Sequence, residues 1–425
     1  MEDIDHKHSE EDQSSCALRK QLSEGIGKHS ISNPHDRESL AKLYRRALIE
    51  DALPFWFPRC WDKAHGGFFS CLDRDGTVLD TDKSVWAQGR MSWMLLRCHQ
   101  DIMPNDMWLQ WAESGIQFLK NHCFDKDGRM FFHVSREGKA IRKRRYAYTE
   151  AFAAIALAAH ANVRKDEESA ERAKRLLQHF LKWHFNPPPE ATPKHTHHRP
   201  LISLGPRMIA LITAQELRHQ LGPDPAFNSI IDQMLEEIMA GFVKQDLKCV
   251  LELAQPDGNI SDHLDGRTLN PGHAIEAAWF MMQEGAEKGK SDLIKTACQM
   301  LKWTWERAWD KQDGGLLYFT DIHGKPVQEY WHAMKFWWPH NETMIASTMA
   351  YQLTGELAFA KMHASVHNWA FGRFMDPVHG EWYGYLHHNG EVSNSAKGNL
   401  WKSCFHYPRA LLFCHQWLMK NPKVL

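Results

Sequence analysis

From Leu40 onward the chain alternates between stretches with a helical spacing of apolar residues and short, polar, glycine-rich breaks. The helical stretches come two at a time. Ala147 to Asn162 is followed by Glu167 to Trp183, and His273 to Lys288 by Asp292 to Trp309. The breaks between pairs resemble one another. They are Asp62-Lys63-Ala64-His65-Gly66-Gly67-Phe68-Phe69, Asp125-Lys126-Asp127-Gly128-Arg129-Met130-Phe131-Phe132, Asp310-Lys311-Gln312-Asp313-Gly314-Gly315 and Asp376-Pro377-Val378-His379-Gly380-Glu381. The first two begin 63 residues apart and the last two 66, and the 185 residues between the inner two leave room for three such periods. Each break leads into turn residues between apolar runs, which predicts a short β-hairpin.

A period of this length exceeds the roughly 34 to 47 residues of helical solenoid repeats. Six helix pairs account for most of the chain and can close into a ring of inner helices surrounded by outer ones. The expected fold is therefore all-α: an (α/α)6 barrel with short β-hairpin loops at one mouth. Residues 1–35 are polar and are expected to form a disordered or loosely docked arm. The remainder, 36–425, is expected to be one catalytic domain. The proline-rich stretch Asn186 to Pro200 reads as a long surface loop within it.

Composition narrows the function. Lys+Arg 51 against Asp+Glu 52 gives a net charge of -1, without the basic excess of a nucleic-acid binder. The longest apolar run, Ala151 to Ala159, is far shorter than a membrane span, so no membrane partner is expected. Nine scattered cysteines without a Cys-x-x-Cys fit reduced thiols and a cytoplasmic location. The 18 Trp and 21 Phe suit either a large core or an aromatic-walled cavity.

A second ladder of polar residues follows the same period: Arg90, Glu150, Arg207, His273, His340 and His406, at steps of 60, 57, 66, 67 and 66 residues. Each lies near the start of an apolar helix. Taken alone, any of them reads as a cap, a core histidine or half of an ion pair. Their shared phase predicts convergence on one polar pocket, because charge at apolar helix starts is costly to bury without a purpose. No His-x-x-x-His or His-Glu-x-x-His appears among them, so no metal site is expected. His195-Thr196-His197-His198 lies in the proline-rich loop, and Gly285 to Ser291 has the wrong glycine spacing for a phosphate loop.

The chain resembles the N-acylglucosamine 2-epimerase family from about Leu40 to Gln416. The resemblance rests on His65-Gly66-Gly67-Phe68-Phe69, Val85-Trp86-Ala87-Gln88-Gly89-Arg90, Asn270-Pro271-Gly272-His273-Ala274-Ile275-Glu276, Lys335-Phe336-Trp337-Trp338-Pro339-His340-Asn341-Glu342, Gly380 to Tyr385 and Lys402 to Arg409. It implies an (α/α)6 barrel and a cytoplasmic enzyme, often a homodimer. The implied activity is the interconversion of N-acetylglucosamine and N-acetylmannosamine without a required cofactor, with ATP as an activator that is not consumed. It also implies catalytic roles for His273 and His406 and substrate contacts for Arg90, Glu276, Trp338, His340, Glu342 and Arg409. The residue types suit this chemistry, because two imidazoles can exchange protons near neutral pH and an arginine can stabilise an enediolate. Alternatives are an isomerase or epimerase of non-acetylated sugars, a glycoside hydrolase using Glu150 and Glu342, and a non-catalytic binding protein.

Overall fold

The computed structural model describes residues 15–189, 191 and 198–420. Helices α1 (residues 15–23) and α2 (Pro34–Ala47) come first. Five helical hairpins follow: α3 (Val85–Asp101) with α4 (Asp106–His122), α5 (Tyr148–Arg164) with α6 (Glu167–Phe185), α7 (Leu204–Leu221) with α8 (Pro225–Gly241), α9 (Pro271–Lys288) with α10 (Ser291–Ala308), and α11 (Trp337–Thr354) with α12 (Leu357–Arg373). The last helix, α13 (His406–Leu418), pairs with α2. The two ends of the chain thus supply the sixth pair.

Patterning separates the two rings. Outer helix α6 buries Ser169, Ala173, Leu176, Leu177 and Phe180, a single stripe at helical spacing. Inner helix α5 buries every residue from Thr149 to Ala161, and α11 every residue from Trp337 to Leu353. A helix apolar on all sides must be enclosed on all sides. Accordingly α3, α5, α7, α9, α11 and α13 touch in order, and α13 returns to α3. This is the expected (α/α)6 barrel. No helix among the described residues is long and apolar enough to cross a membrane.

The repeated aspartate-rich breaks are the connections at one mouth. In three of them the aspartate folds its own turn: Asp62 accepts from the Ala64 and His65 amides, Asp310 from Gln312 and Asp313, and Asp376 from Val378 and His379. A buried lysine neutralises each one, Lys83 at 3.0 Å, Lys335 at 2.7 Å and Lys397 at 3.3 Å. Gly67, at φ +68°, is required twice over, since a Cβ there would lie 2.6 Å from the Gln88 side chain. Short antiparallel pairs link neighbouring connections around the mouth: Lys83–Ser84 with His133–Val134, Ile202–Ser203 with Leu253–Ala254, Thr268–Leu269 with Thr320–Asp321, and Lys335–Phe336 with Tyr385–Leu386.

The N-terminal arm departs from expectation. Residues 1–14 lie outside the described ones, but α1 and the chain after it are docked. Leu18, Leu22 and Ile31 are buried, Arg19 donates to buried Asp51 at 2.7 Å, and Ile26 and Asn368 exchange two hydrogen bonds. Leu18 and Leu22 share a face at i, i+4, and that small stripe is diluted by the polar residues around it. Of the run His195–His198, the residues through His197 lie outside the described ones.

Candidate active site

Successive helical residues are turned by about 100°, so i and i+4 share a face while i+2 looks the opposite way. That rule divides the ladder in two. Trp86 and Arg90 of α3, Tyr148 and Phe152 of α5, His273 and Glu276 of α9, Trp338 of α11, and His406 and Arg409 of α13 line a cavity of about 1660 Å3 along the barrel axis. Residues between those positions look outward and hold the connections. Gln88 accepts from the Phe68 amide at 2.7 Å, Glu150 from Met130 at 3.1 Å, and His340 from Leu316 at 2.9 Å. Glu150 also pairs with Arg129, and Arg207 with Glu237 of α8.

His340 is therefore corrected from a substrate contact to an anchor. Its Nε2 accepts from Leu316, its Nδ1 donates to the Phe336 carbonyl at 2.7 Å, and its ring stacks on Trp369. It stands two residues from both Trp338 and Glu342, which puts it on the far side of α11 from the cavity.

The other predicted residues converge. In Asn270-Pro271-Gly272-His273 each residue has its own role. Asn270 caps α9 by accepting from the His273 amide, and Pro271 occupies the first turn, where its missing N–H costs nothing. Gly272 admits the Trp338 ring, which would lie 2.2 Å from a Cβ. His273 then faces the cavity beside that ring, with centroids 5.5 Å apart, and His406 lies 5.9 Å from the same tryptophan.

Both imidazoles are held by carboxylates through Nδ1: His273 by Glu252 at 2.9 Å and His406 by Glu342 at 2.7 Å. A neutral ring that donates from Nδ1 carries its basic lone pair on Nε2. Burial pushes the His406 pKa down to about 3, against the pull of Glu342, so that ring stays neutral.

Glu342 lies directly behind Trp338. It also accepts from Trp279 at 2.9 Å and from Arg409, which donates to Glu276 at 3.0 Å. Glu342 is held below the usual carboxylate range, against its own burial, by Arg409 and the His406 hydrogen bond. Burial and the neighbouring Glu342 charge push Glu276 up. Oxygen atoms of Glu276 and Glu342 and a His406 nitrogen lie within 4.8 Å of one another, a spacing able to hold a cation, and the Arg409 guanidinium already supplies that charge.

Arg90 differs from Arg409. Its guanidinium lies over Phe152 at 4.0 Å, Phe405 at 4.5 Å and Trp86 at 4.6 Å, and its Nε has no hydrogen-bond partner among the described residues. Burial and the Arg409 charge pull its pKa far below normal. Such a cation has strong attraction left for negative charge appearing in the cavity.

Sequence reasoning missed Glu252. Its signal was present, as one acid inside the apolar run Val250-Leu251-Glu252-Leu253-Ala254. Its partner lies 21 residues away and is reached only because Leu253–Ala254 pairs with Ile202–Ser203 at the mouth. The aromatic cage of Arg90 and the Trp279 donor were missed for the same reason.

The chain is similar to known proteins over most of its length. The family model for N-acylglucosamine 2-epimerase (GlcNAc 2-epimerase) matches residues 67–408. The N-acylglucosamine 2-epimerase of Bos taurus is 31% identical over 377 residues, covering 87% of this chain and 89% of the bovine one. That of Mus musculus is 32% identical over 397 residues, covering 90% and 93%. The structure of cellobiose 2-epimerase from Bacillus thermoamylovorans shares the fold, with a TM-score of 0.76 at 20% identity, over 89% of this chain and 99% of that one. The chain belongs to the N-acylglucosamine 2-epimerase family of carbohydrate epimerases.

Proposed function

We propose that the chain interconverts N-acetyl-D-glucosamine and N-acetyl-D-mannosamine by moving the proton on C2. The observation that carries this reading is the pair of imidazoles, each held at Nδ1 by a carboxylate and both beside the Trp338 ring in one cavity.

The open-chain sugar has an acidified proton on C2, next to the aldehyde. One histidine removes that proton through Nε2, and electron density moves onto O1 to give an enediolate. The other histidine returns a proton to the opposite face of C2, which inverts the centre. Two bases on opposite faces are what an inversion of this kind requires, and each proton transfer of this type contributes about 10²- to 10⁴-fold. Glu252 and Glu342 hold the rings and stabilise the imidazolium that forms transiently. Arg90, lacking an ion-pair partner among the described residues, stabilises the oxyanion. Trp338 gives the sugar carbons an apolar face.

Electrons balance without a redox cofactor, since the proton that leaves is replaced. ATP as a non-consumed activator, a homodimer and a cytoplasmic location belong to the same proposal. Running the reaction with and without ATP and measuring sedimentation test the first two.

A hydrolase would need two carboxylates flanking an open bond. Here Glu150 faces away from the cavity, and Glu276 and Glu342 are tied to Arg409. The test is proton NMR of the purified chain with N-acetylmannosamine in deuterated water. N-acetylglucosamine carrying deuterium at C2 is expected. No product and no exchange, with mannose, glucose or cellobiose turned over instead, would move the assignment to non-acetylated sugars.

A further inference from the structure

The wall of the cavity is divided by chemistry. In the first two turns of the inner helices, α3 carries Arg90, α9 Glu276, α11 Glu342 and α13 Arg409, the charged cluster that serves the proton transfer. Helices α5 and α7 bring no charge to the axis at this level, because Glu150 and Arg207 turn outward to Arg129 and Glu237. What they present instead is Phe152 and Ile155 from α5, and Met208, Ile209 and Ile212 from α7.

This apolar strip has an open top and a closed bottom. Gly205 stands one turn above Ile209 on the same face and puts no side chain over it, and a Cβ there would lie 3.0 Å from the Tyr148 hydroxyl. Ile209 and Ile212 are only half-buried, so their side chains are bare toward the cavity. One turn below Ile212 the helix becomes polar at Glu216, which is fastened to Trp93 and Arg97. From Gly205 to Ile212 α7 rises about 10 Å, room for a group of several carbons. Bare apolar surface facing a cavity favours an apolar group that covers it.

We infer that Phe152, Ile155, Met208, Ile209 and Ile212 form the slot that receives the N-acyl group of the substrate, with Ile212 setting the length it accepts. The assignment rests on the epimerase reading. When two bases invert C2, only its hydrogen changes sides, while C1, C3 and the nitrogen must be held still. Trp338 supports the sugar carbons and Arg90 faces O1, which leaves the substituent on the nitrogen without a holder. That substituent hangs from the carbon next to C1, so its holder must adjoin Arg90. The Arg90 guanidinium lies 4.0 Å from the Phe152 ring. Helix α5 also stands across the ring from α11, so a sugar resting on Trp338 turns its far side to this wall.

The test compares kcat/KM for N-formyl-, N-acetyl- and N-butanoylmannosamine in the full chain, in wild type, I212A and I212F. Wild type should gain about fourfold from formyl to acetyl, the effect of burying one more carbon. I212A should raise the butanoyl-to-acetyl ratio about tenfold over wild type, and I212F should lower it about tenfold. Each ratio compares two substrates on one protein, so a loss of folded material cancels from it, and I212A decides alone if I212F does not fold. A ratio within about twofold of wild type in I212A, or no gain from formyl to acetyl in wild type, overturns the slot. Calorimetric binding of the same sugars separates this claim from the one beneath it. Binding that depends on acyl length and shifts in I212A, without turnover of any of the sugars, upholds the slot and sinks the epimerase reading. Turnover with the ratio unmoved in I212A sinks the slot alone.

Discussion

His406 and His340 look alike by most measures. Both stand in the first turn of an inner helix, both are buried, and burial pushes both to a pKa of about 3. Their partners separate them. His340 spends both ring nitrogens on backbone, accepting from Leu316 and donating to Phe336, so no lone pair is left for chemistry. His406 spends only Nδ1, on a carboxylate, and lines the cavity. A perturbed histidine is a candidate catalyst only where one nitrogen remains uncommitted and faces space for a substrate. Gln88 and Glu150 make the same point, since they occupy the anchoring position in other repeats and bind the equivalent turns.

The largest effects should split this pair. H406A should lose about 10³-fold or more in kcat, within the range for a general acid–base, with little change in urea midpoint. H340A should do the reverse. Its kcat per folded molecule should stay within about twofold of wild type, while the unsatisfied Leu316 amide and the cavity left behind should cost about 2 to 4 kcal/mol in urea denaturation. Equal loss of activity in both would erase the distinction.

Next in size, E252Q should lower kcat about 10- to 100-fold, because an orienting partner of a working imidazole is weakened. KM should change less, a split that steady-state kinetics with wild-type and variant chains resolves. A finer test borrows the molecule's own alternative. H340Q places at α11 the side chain that α3 already uses to hold the equivalent turn at Gln88, and should recover more than half of the stability lost in H340A.

The smallest effect is one of slope. His340 binds a proton near pH 3 when folded and near 6.5 when unfolded, so the unfolded state takes up more protons between those values. Stability is fully present above pH 6.5 and falls as pH drops toward 3, by up to about 1.4 kcal/mol per pH unit for this one group. H340Q should make the pH dependence of unfolding shallower by about one proton in that window.

The architecture was legible because its cause is periodic. Apolar spacing, the aspartate-glycine turns and their common interval follow directly from stacking helix pairs in a ring. Closure of that ring by α2 against α13 was not legible, since it joins residues from opposite ends of the chain. The docked α1 was hidden for a related reason, two leucines in a polar stretch. At the site, Arg90, His273, Glu276, Trp338, His406 and Arg409 reach the cavity as the motifs implied, with Glu342 behind them. Even steps along the chain place residues at equal heights but do not set the direction in which they point. A shift of two residues reverses a helix face, which is why Glu150, Arg207 and His340 joined a ladder whose cavity-lining members are Arg90, His273 and His406.

The central claim is that His273 and His406 serve opposite faces of C2. Deuterium wash-in at C2, followed by NMR for each sugar separately in H273A and H406A, tests it most directly. Each variant should lose interconversion yet still exchange C2 of one sugar, H273A one of the pair and H406A the other. Exchange into both sugars by either single variant would contradict the account, as would interconversion by wild type without solvent deuterium entering C2.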